Sequence, residues 1–444
     1  MQLILAIPLA ARLALVFVVA AVLASLANAV IYHFAWERRL RSPWQPKPPE
    51  LEPRTWSDCI PIVGWWFLRR EAPHHGHGHW IRPMLIELAF PLGLAWLYWW
   101  ETEALGLIAE QALGNIGAFA PDQFAVATHL EFLAHAVLMW FMLAATFIDA
   151  DDRIIPDIIT VPGTIFGLIL ATLAPLALLP QITMPPVPPV AGQQLIDKAG
   201  AATKFYLEPV HLAAASDWPA ELAAAPNWKS LVLALACYWL WCFAFVRRSW
   251  LRRRGLVRAV RHFLTRVGSD WWTTPLREVT AIGTVLVVAV WWWGGAAWVG
   301  LLTSLVGLVG AGGVVWLIRI IASPALGKEA MGFGDVLLMM MIGTLIGWQA
   351  GVIVFFLAPF AALVYGLVQL IVRKENELPY GPFLCAATVF LIVRWASVWN
   401  WGSLFFQRPI LVLVVLAVCL ILCGAILAVY QGLKNRILGA PEAE

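Results

Sequence analysis

The sequence predicts an all-α fold, a polytopic integral membrane helical bundle of about eleven spans, and three observations carry that expectation. Hydrophobic residues make up 61% of the 444 and charged residues only 13%, too few to coat a soluble surface. Apolar runs recur along the whole chain at lengths near the ~20 residues that an α-helix needs to cross a hydrocarbon core. The polar stretches between them alternate between basic and non-basic, as the connections of a multi-spanning protein do.

The first run, 4–34, is longer than the apolar core of a secretory signal, lacks a basic start and precedes a basic stretch, so 1–34 is expected to be a retained first span. Segment 35–83 follows as a cytoplasmic loop domain, holding Arg38, Arg39, Arg41, Lys47, Arg54, Arg69, Arg70 and Arg82. Residues 84–178 carry runs 84–100, 125–148 and 155–178. The connection 101–123 between the first two is acidic, with Glu101, Glu103, Glu110 and Asp122, and is expected outside.

Residues 179–296 read as an insertion: an external Pro- and Ala-rich loop 180–228, a run at 229–246, a basic cytoplasmic segment 247–277 and a run at 279–294. The nine arginines of 247–277 are topology-fixing charge that also meets anionic lipid, at about 1 kcal/mol per residue near the surface. Residues 297–398 hold runs 297–321, 336–348, 351–372 and 383–398, and 399–444 adds a run at 410–432 and a tail with Lys434 and Arg436. An odd number of spans, N-terminus outside and tail inside, satisfies every loop. The Trp clusters Trp65-Trp66, Trp99-Trp100, Trp271-Trp272 and Trp291-Trp292-Trp293 fall near run ends as interfacial anchors. The six cysteines include no CxxC pair and imply no disulfide framework.

Two aspartates stand out against this apolar background. Asp149 closes the run 125–148, and Asp335 lies in Met331-Gly332-Phe333-Gly334-Asp335 just ahead of 336–348. An ionisable group placed so costs a few kcal/mol unless it is paired, which marks it as functional. The topology brings both to the cytoplasmic ends of their helices, where they can meet. Asp149 sits at a helix C-terminus, where the dipole disfavours its charge, and Asp335 at a helix N-terminus, where the dipole favours it. One carboxyl driven towards the acid and one towards the anion is the pairing of an aspartic protease dyad, which titrates as a unit.

The residues around them shape the site. Pro156 suits the first turn of the next helix, and Asp157 beside it meets that helix's positive end. Asp151 and Asp152, with Arg153, form a turn between spans and are candidates to support the dyad. Gly332 and Gly334 permit a tight turn and close backbone approach. The run after Asp335 gives only ~20 Å of helix against a ~30 Å core, so it is expected inside the protein rather than against lipid. Gly381 and Pro382 shape a loop-to-helix entry.

The segments "FIDADDRIIPD", "GKEAMGFGD" and "PYGPF" resemble, in order and spacing, the three signature stretches of the type IV prepilin leader peptidase family, membrane-embedded aspartic proteases. "CIPIVGWWFLRR" and "IRPMLIE" are similar to that family's first cytoplasmic loop and the start of its second span, so the resemblance covers about half the chain. It implies that Asp149 and Asp335 are catalytic. The implied reaction is cleavage of basic leader peptides from prepilin-like or pseudopilin precursors, of type IV pilus or type II secretion systems, at the cytoplasmic face of a bacterial inner membrane. The implied partners are those precursors and membrane lipids, with no nucleic acid.

The chain also departs from the family pattern. Bifunctional members carry two CxxC pairs in the first cytoplasmic loop and N-methylate the new terminus, whereas this loop has Cys59 alone. Where the second pair would fall stand His74, His75, His77 and His79, so a four-thiolate zinc site is ruled out and methyl transfer is not expected. Imidazoles so spaced in a Gly-rich loop suit a flexible chelate better than a tetrahedral site; a solvated loop is the expectation and zinc the alternative. Proteolysis by two aspartates requires no cofactor. The Lys that commonly follows the second aspartate by two positions is Leu337 here, which removes a local positive charge. Two rivals share the same aspartates: a proton-coupled transporter, which would favour internal repeats and midplane sites, and a catalytically silent scaffold of the same fold.

Overall fold

The computed structural model describes residues 5–35, 41–45, 51, 53–108, 121–183, 206–215, 222, 227–245, 276–326, 329, 331–372, 379–408, 410–419 and 421–422. The described residues are almost entirely helical. In chain order they form α1 (Leu9–Phe34), α2 (Val63–Leu68), α3 (Ile81–Thr102), α4 (Pro121–Asp152), α5 (Asp157–Leu173) and α6 (Trp228–Ala244). Then come α7 (Leu276–Trp293), α8 (Gly295–Leu326), α9 (Phe333–Val372), α10 (Gly381–Val393), α11 (Trp395–Phe406) and α12 (Ile410–Cys419). Segment 247–275, Trp271-Trp272, Lys434 and Arg436 lie outside the described residues.

The eleven apolar runs condense into fewer spans. Six described helices, α1, α3, α4, α7, α8 and α9, are long and apolar enough to cross a membrane, with a seventh if α10 and α11 are one bent span; α5, α6 and α12 are shorter. Runs 336–348 and 351–372 join in α9 through a kink at Gly347. Run 383–398 breaks at Arg394, where α10 and α11 diverge by 96°. Hydropathy registers apolar composition, and the residues flanking both turns are apolar, so neither shows in the run lengths. The chain is an all-α polytopic membrane protein all the same.

The first half of α9 is the centre of the bundle. Every residue from Val336 to Ile346 is buried, as a helix too short to span should be. It packs between α8, α5 and α10. Glycines let α8 and α9 meet backbone to backbone: a Cβ on Gly307 would run into Gly343 O, and one on Gly343 into Gly307 O. Such small-residue contacts drive helix association where no hydrophobic effect operates between helices. Ser304 Oγ donates to Thr344 O across the same seam at 2.7 Å.

The insertion contributes the one element that is not helical among the described residues. Strands β1 (Pro180–Thr183) and β2 (Tyr206–Pro209) pair antiparallel, and the chain after β2 docks on the kink of α9. Gln349 Nε2 donates to His211 O at 3.0 Å, Trp348 Nε1 to Leu212 O at 3.1 Å, and the Leu212 N–H to Thr303 Oγ1 at 3.2 Å. Trp395, fully buried at the turn into α11, donates to Pro180 O at 2.7 Å. Gly347 adopts φ 81° and ψ 171°, a region that only glycine enters without strain. Gly347→Ala is therefore expected to destabilise the protein by about 1–3 kcal/mol, seen as a lowered melting temperature in detergent.

The Trp clusters do not all lie at interfaces. Trp292 and Trp293 are exposed at the end of α7, as anchors should be. Trp65 is instead buried with Tyr32 and Leu68, packing α2 onto α1. The same junction is tied by Glu87 of α3, fully buried, which accepts from the Asn28 side chain at 3.1 Å and from the Ile62 N–H at 2.6 Å.

Candidate active site

Three helix ends meet at one end of the bundle, and each brings a residue singled out by the sequence. Asp149 lies in the last turn of α4, which stops where Arg153 takes a left-handed conformation (φ 56°) and returns its N–H to Asp149 O. Asp335 is the third residue of α9, and Gly381 opens α10. The Gly381 N–H donates to Asp149 Oδ2 at 3.1 Å. Asp335 is within electrostatic reach of Asp149 and of the Gly332 backbone. Both carboxyls are nearly buried, 5% and 6% exposed, so neither charge is dispersed by bulk water.

Glycine is what permits this convergence. A Cβ on Gly381 would lie 2.6 Å from Asp149 Oδ2 and 2.9 Å from Ile155, and a Cβ on Gly334 would lie 2.9 Å from the Cβ of Ile155. Ile155, itself buried, is the plug between the two glycines. Gly332 faces Asp335 directly. Pro382 follows Gly381 in the first turn of α10. Pro156 stands one position earlier than the sequence suggested: it is the extended residue preceding α5, and Asp157 begins the helix, exposed, in its first turn.

Arginines from outside the signature stretches brace the site. Arg82 at the start of α3 forms an ion pair with Asp151 at 2.7 Å, and its guanidinium lies 4.6 Å from the centre of the Phe147 ring. Asp151 thus fixes the end of α4 to α3 rather than facing the dyad. Asp152 is half-buried beside it. Arg319 of α8 donates to Met331 O and pairs with Glu329 at 2.8 Å, holding the approach to Gly332-Phe333-Gly334 in place, and it is within electrostatic reach of Asp335. Leu337 is buried, so the positive charge missing from that position is supplied from another helix. The signal for Arg319 was present: a lone arginine within an apolar run carries the same cost as the aspartates. Ile155 and Arg82 lie within FIDADDRIIPD and IRPMLIE, but neither carries the cost of a charge inside an apolar run that would single it out.

The histidine loop is organised by ion pairs. Arg54 grips both oxygens of Glu71, at 2.9 and 2.8 Å, and also donates to Ser42 O. Arg70 grips both oxygens of buried Asp58, at 2.8 and 2.6 Å. His75 Nε2 approaches Glu71 at 3.4 Å, while His79 Nδ1 lies 3.0 Å from Gly76 O; His74 and His77 are exposed. Among the described residues no three His, Cys, Asp or Glu side chains are placed to hold a metal. The carboxylate nearest the imidazoles is already committed to Arg54.

This loop is expected to loosen in acid. Burial pushes the His75 and His79 imidazoles below their ordinary value. Arg70 holds Asp58 below the carboxylate range, and for Glu71 the pull of Arg54 and His75 outweighs the upward push of burial. All four groups bind protons more weakly folded than unfolded, so stability is full above about pH 6.5. It falls first as the pH drops below the histidine range and again below about pH 4. Hydrogen exchange over 53–80, corrected for the intrinsic rate at each pH, should show protection lost in those two steps.

Comparison with known proteins places these features. Residues 263–367, which include Gly332, Gly334 and Asp335, match the type IV leader peptidase family. A prepilin leader peptidase/N-methyltransferase of Aeromonas salmonicida is 30% identical over 118 residues, 23% of this chain and 40% of that protein. One from Pectobacterium carotovorum subsp. carotovorum is 36% identical over 107 residues (21% and 38%), and one from Pseudomonas aeruginosa 32% over 77 residues (17% and 25%). The match thus spans two fifths or less of the length of these relatives. No solved structure matches the chain.

Proposed function

We propose that this chain, of which residues 263–367 match the type IV leader peptidase family, is a membrane aspartic endopeptidase of that family that removes leader peptides from prepilin-like or pseudopilin precursors. The observation that carries the reading is the meeting of Asp149 and Asp335, two nearly buried carboxyls from separate helix ends, with the Gly381 N–H fixing one of them. Two carboxyls so close in a dry site hold one proton between them. The ionised member takes a proton from water as the water's oxygen attacks the scissile carbonyl carbon, while the protonated member donates to the carbonyl oxygen. Collapse of the tetrahedral intermediate breaks the C–N bond as the proton taken from water passes to the leaving amine and a hydroxyl of the diol returns its proton to the other carboxylate, so the pair ends with the single proton it began with. No separate acid and base are assigned, because the pair titrates as a unit.

Arg82, at the end of the basic loop 35–83, pairs with Asp151 two positions from Asp149, so the dyad lies at the end of the bundle that bears this loop, which supports a cytoplasmic active site in a bacterial inner membrane. Proteolysis by these carboxylates needs no cofactor. The relatives' names include N-methyltransferase, but with Cys59 alone in the loop and the histidines engaged as described, proteolysis without methyl transfer is the activity proposed here. The test is co-expression with a prepilin-like precursor and mass spectrometry of the product. A mature chain with an unmethylated new terminus supports the reading, and a precursor left intact in the presence of correctly inserted protein overturns it.

A further inference from the structure

The loop between α1 and α3 carries apolar surface that the bundle does not cover. In α2, Gly64, Trp65 and Leu68 are buried, while Val63, Trp66 and Phe67 are 48%, 46% and 45% exposed. Trp66 packs edge-on against Trp80 with ring centres 5.4 Å apart, and Trp80 immediately precedes α3, a helix long and apolar enough to span. The exposed face of α2 therefore lies where the chain enters the membrane, and a short helix with Trp and Phe outward is suited to the interface plane.

Beside that face is a pocket of about 660 Å³, lined by Trp66, Phe67, Arg69, Arg70, His77 and Trp80 among others, with no acid among the described residues around it. Its two arginines differ. Arg70 commits its guanidinium to both oxygens of buried Asp58, at 2.8 and 2.6 Å. Arg69 instead lies over Trp66, 4.4 Å from the ring centre, and pairs with no carboxylate among the described residues. A guanidinium held against an aromatic face keeps its fork of N–H donors free and oriented, the arrangement that grips a phosphate. His77, exposed at the same pocket, adds an imidazole that can donate a further hydrogen bond.

We propose that this pocket binds the phosphate of an anionic phospholipid headgroup, with Arg69 as its counter-charge and Trp66 and Trp80 as the walls past which the lipid enters the leaflet. The charge selects an anion, and the setting selects a lipid. Arg69 stands at the end of a helix whose outward side chains, Val63, Trp66 and Phe67, gain nothing from a free ion but are buried by a lipid surface. A seated headgroup holds α2 at the membrane surface and fixes the level of the segment that runs from Trp80 to Arg82, which is paired with Asp151. The inference is independent of the proteolytic reading, since it concerns where the loop sits and not what the dyad does.

The test uses the full chain in nanodiscs of phosphatidylcholine alone and of an equimolar mixture with phosphatidylglycerol, at a single pH. Hydrogen exchange over 63–80 should be slower in the mixture, and native mass spectrometry of the released protein should find phosphatidylglycerol retained. Arg69→Gln should weaken that retention about tenfold or more, as expected for loss of a charged hydrogen-bonding partner. Arg69→Lys should lose most of it as well, because lysine keeps the charge but neither stacks on Trp66 nor offers a fork. Arg69 is exposed, so both variants should melt like wild type. Unchanged retention in Arg69→Gln overturns the proposal, and full retention in Arg69→Lys does so too, by reducing the site to diffuse attraction. Equal protection in phosphatidylcholine alone also overturns it, as does the same protection from inorganic phosphate added to those nanodiscs, which marks a free-anion site. If the variants do not fold, the wild-type comparison of the three conditions decides.

Discussion

Asp149→Asn and Asp335→Asn are each expected to lower precursor cleavage by about 10²–10⁴-fold or more, the range that positioned acid–base groups contribute. Asn keeps the shape of Asp, and its amide oxygen can still accept the Gly381 N–H that Asp149 receives at 3.1 Å, so the helix ends should stay together. What Asn cannot do is share and pass a proton. Because the two carboxyls act as one unit, the double variant should be hardly slower than either single one. The measurement is the initial cleavage rate in membranes with matched amounts of protein. A single variant that retains wild-type activity would remove that residue from the chemistry, and independent, multiplicative losses would argue against a shared proton.

Gly381→Val should have the second-largest effect, through position rather than chemistry. The Cβ alone would stand 2.6 Å from Asp149 Oδ2 and 2.9 Å from Ile155, and Ile155 is hemmed in by Gly334 on its other side. The carboxyl must move, and a displacement near 1 Å costs on the order of 10²-fold in rate. Gly381→Ala, which adds only the first carbon, should lose less than Gly381→Val, giving a graded series. Since α10 begins at this residue and keeps its other packing, folding should largely survive, and a melting temperature close to wild type alongside the lost rate would confirm the positional origin.

Much of this protein is readable from residue order, for reasons that are physical. Asp149 and Asp335 announce themselves because charge in an apolar run is costly, and Gly332, Gly334 and Gly381 because backbone freedom is rarely placed without use. The short buried helix after Asp335 follows from its length against the bilayer. The same cost argument applies to Arg319 inside run 297–321, whereas its partners Met331 O and Glu329 are set by the fold. Asp151 was legible as a polar turn residue; that its partner is Arg82, 69 positions away, was not.

The chain's composition and periodicity by themselves determined an all-α membrane bundle, because burying apolar helices in lipid depends on local sequence alone. They also marked Asp149 and Asp335 as costly charges at the edges of apolar runs. Only the tertiary structure decided that the kink at Gly347 turns two runs into one element capped by β1, β2 and the residues after β2, that the histidine loop is ordered by Arg54 and Arg70, and that Ile155 fills the space between two glycines. Those outcomes depend on close packing between segments far apart in the chain. Contacts of that kind are set by where a neighbouring surface happens to lie, and no single segment encodes it.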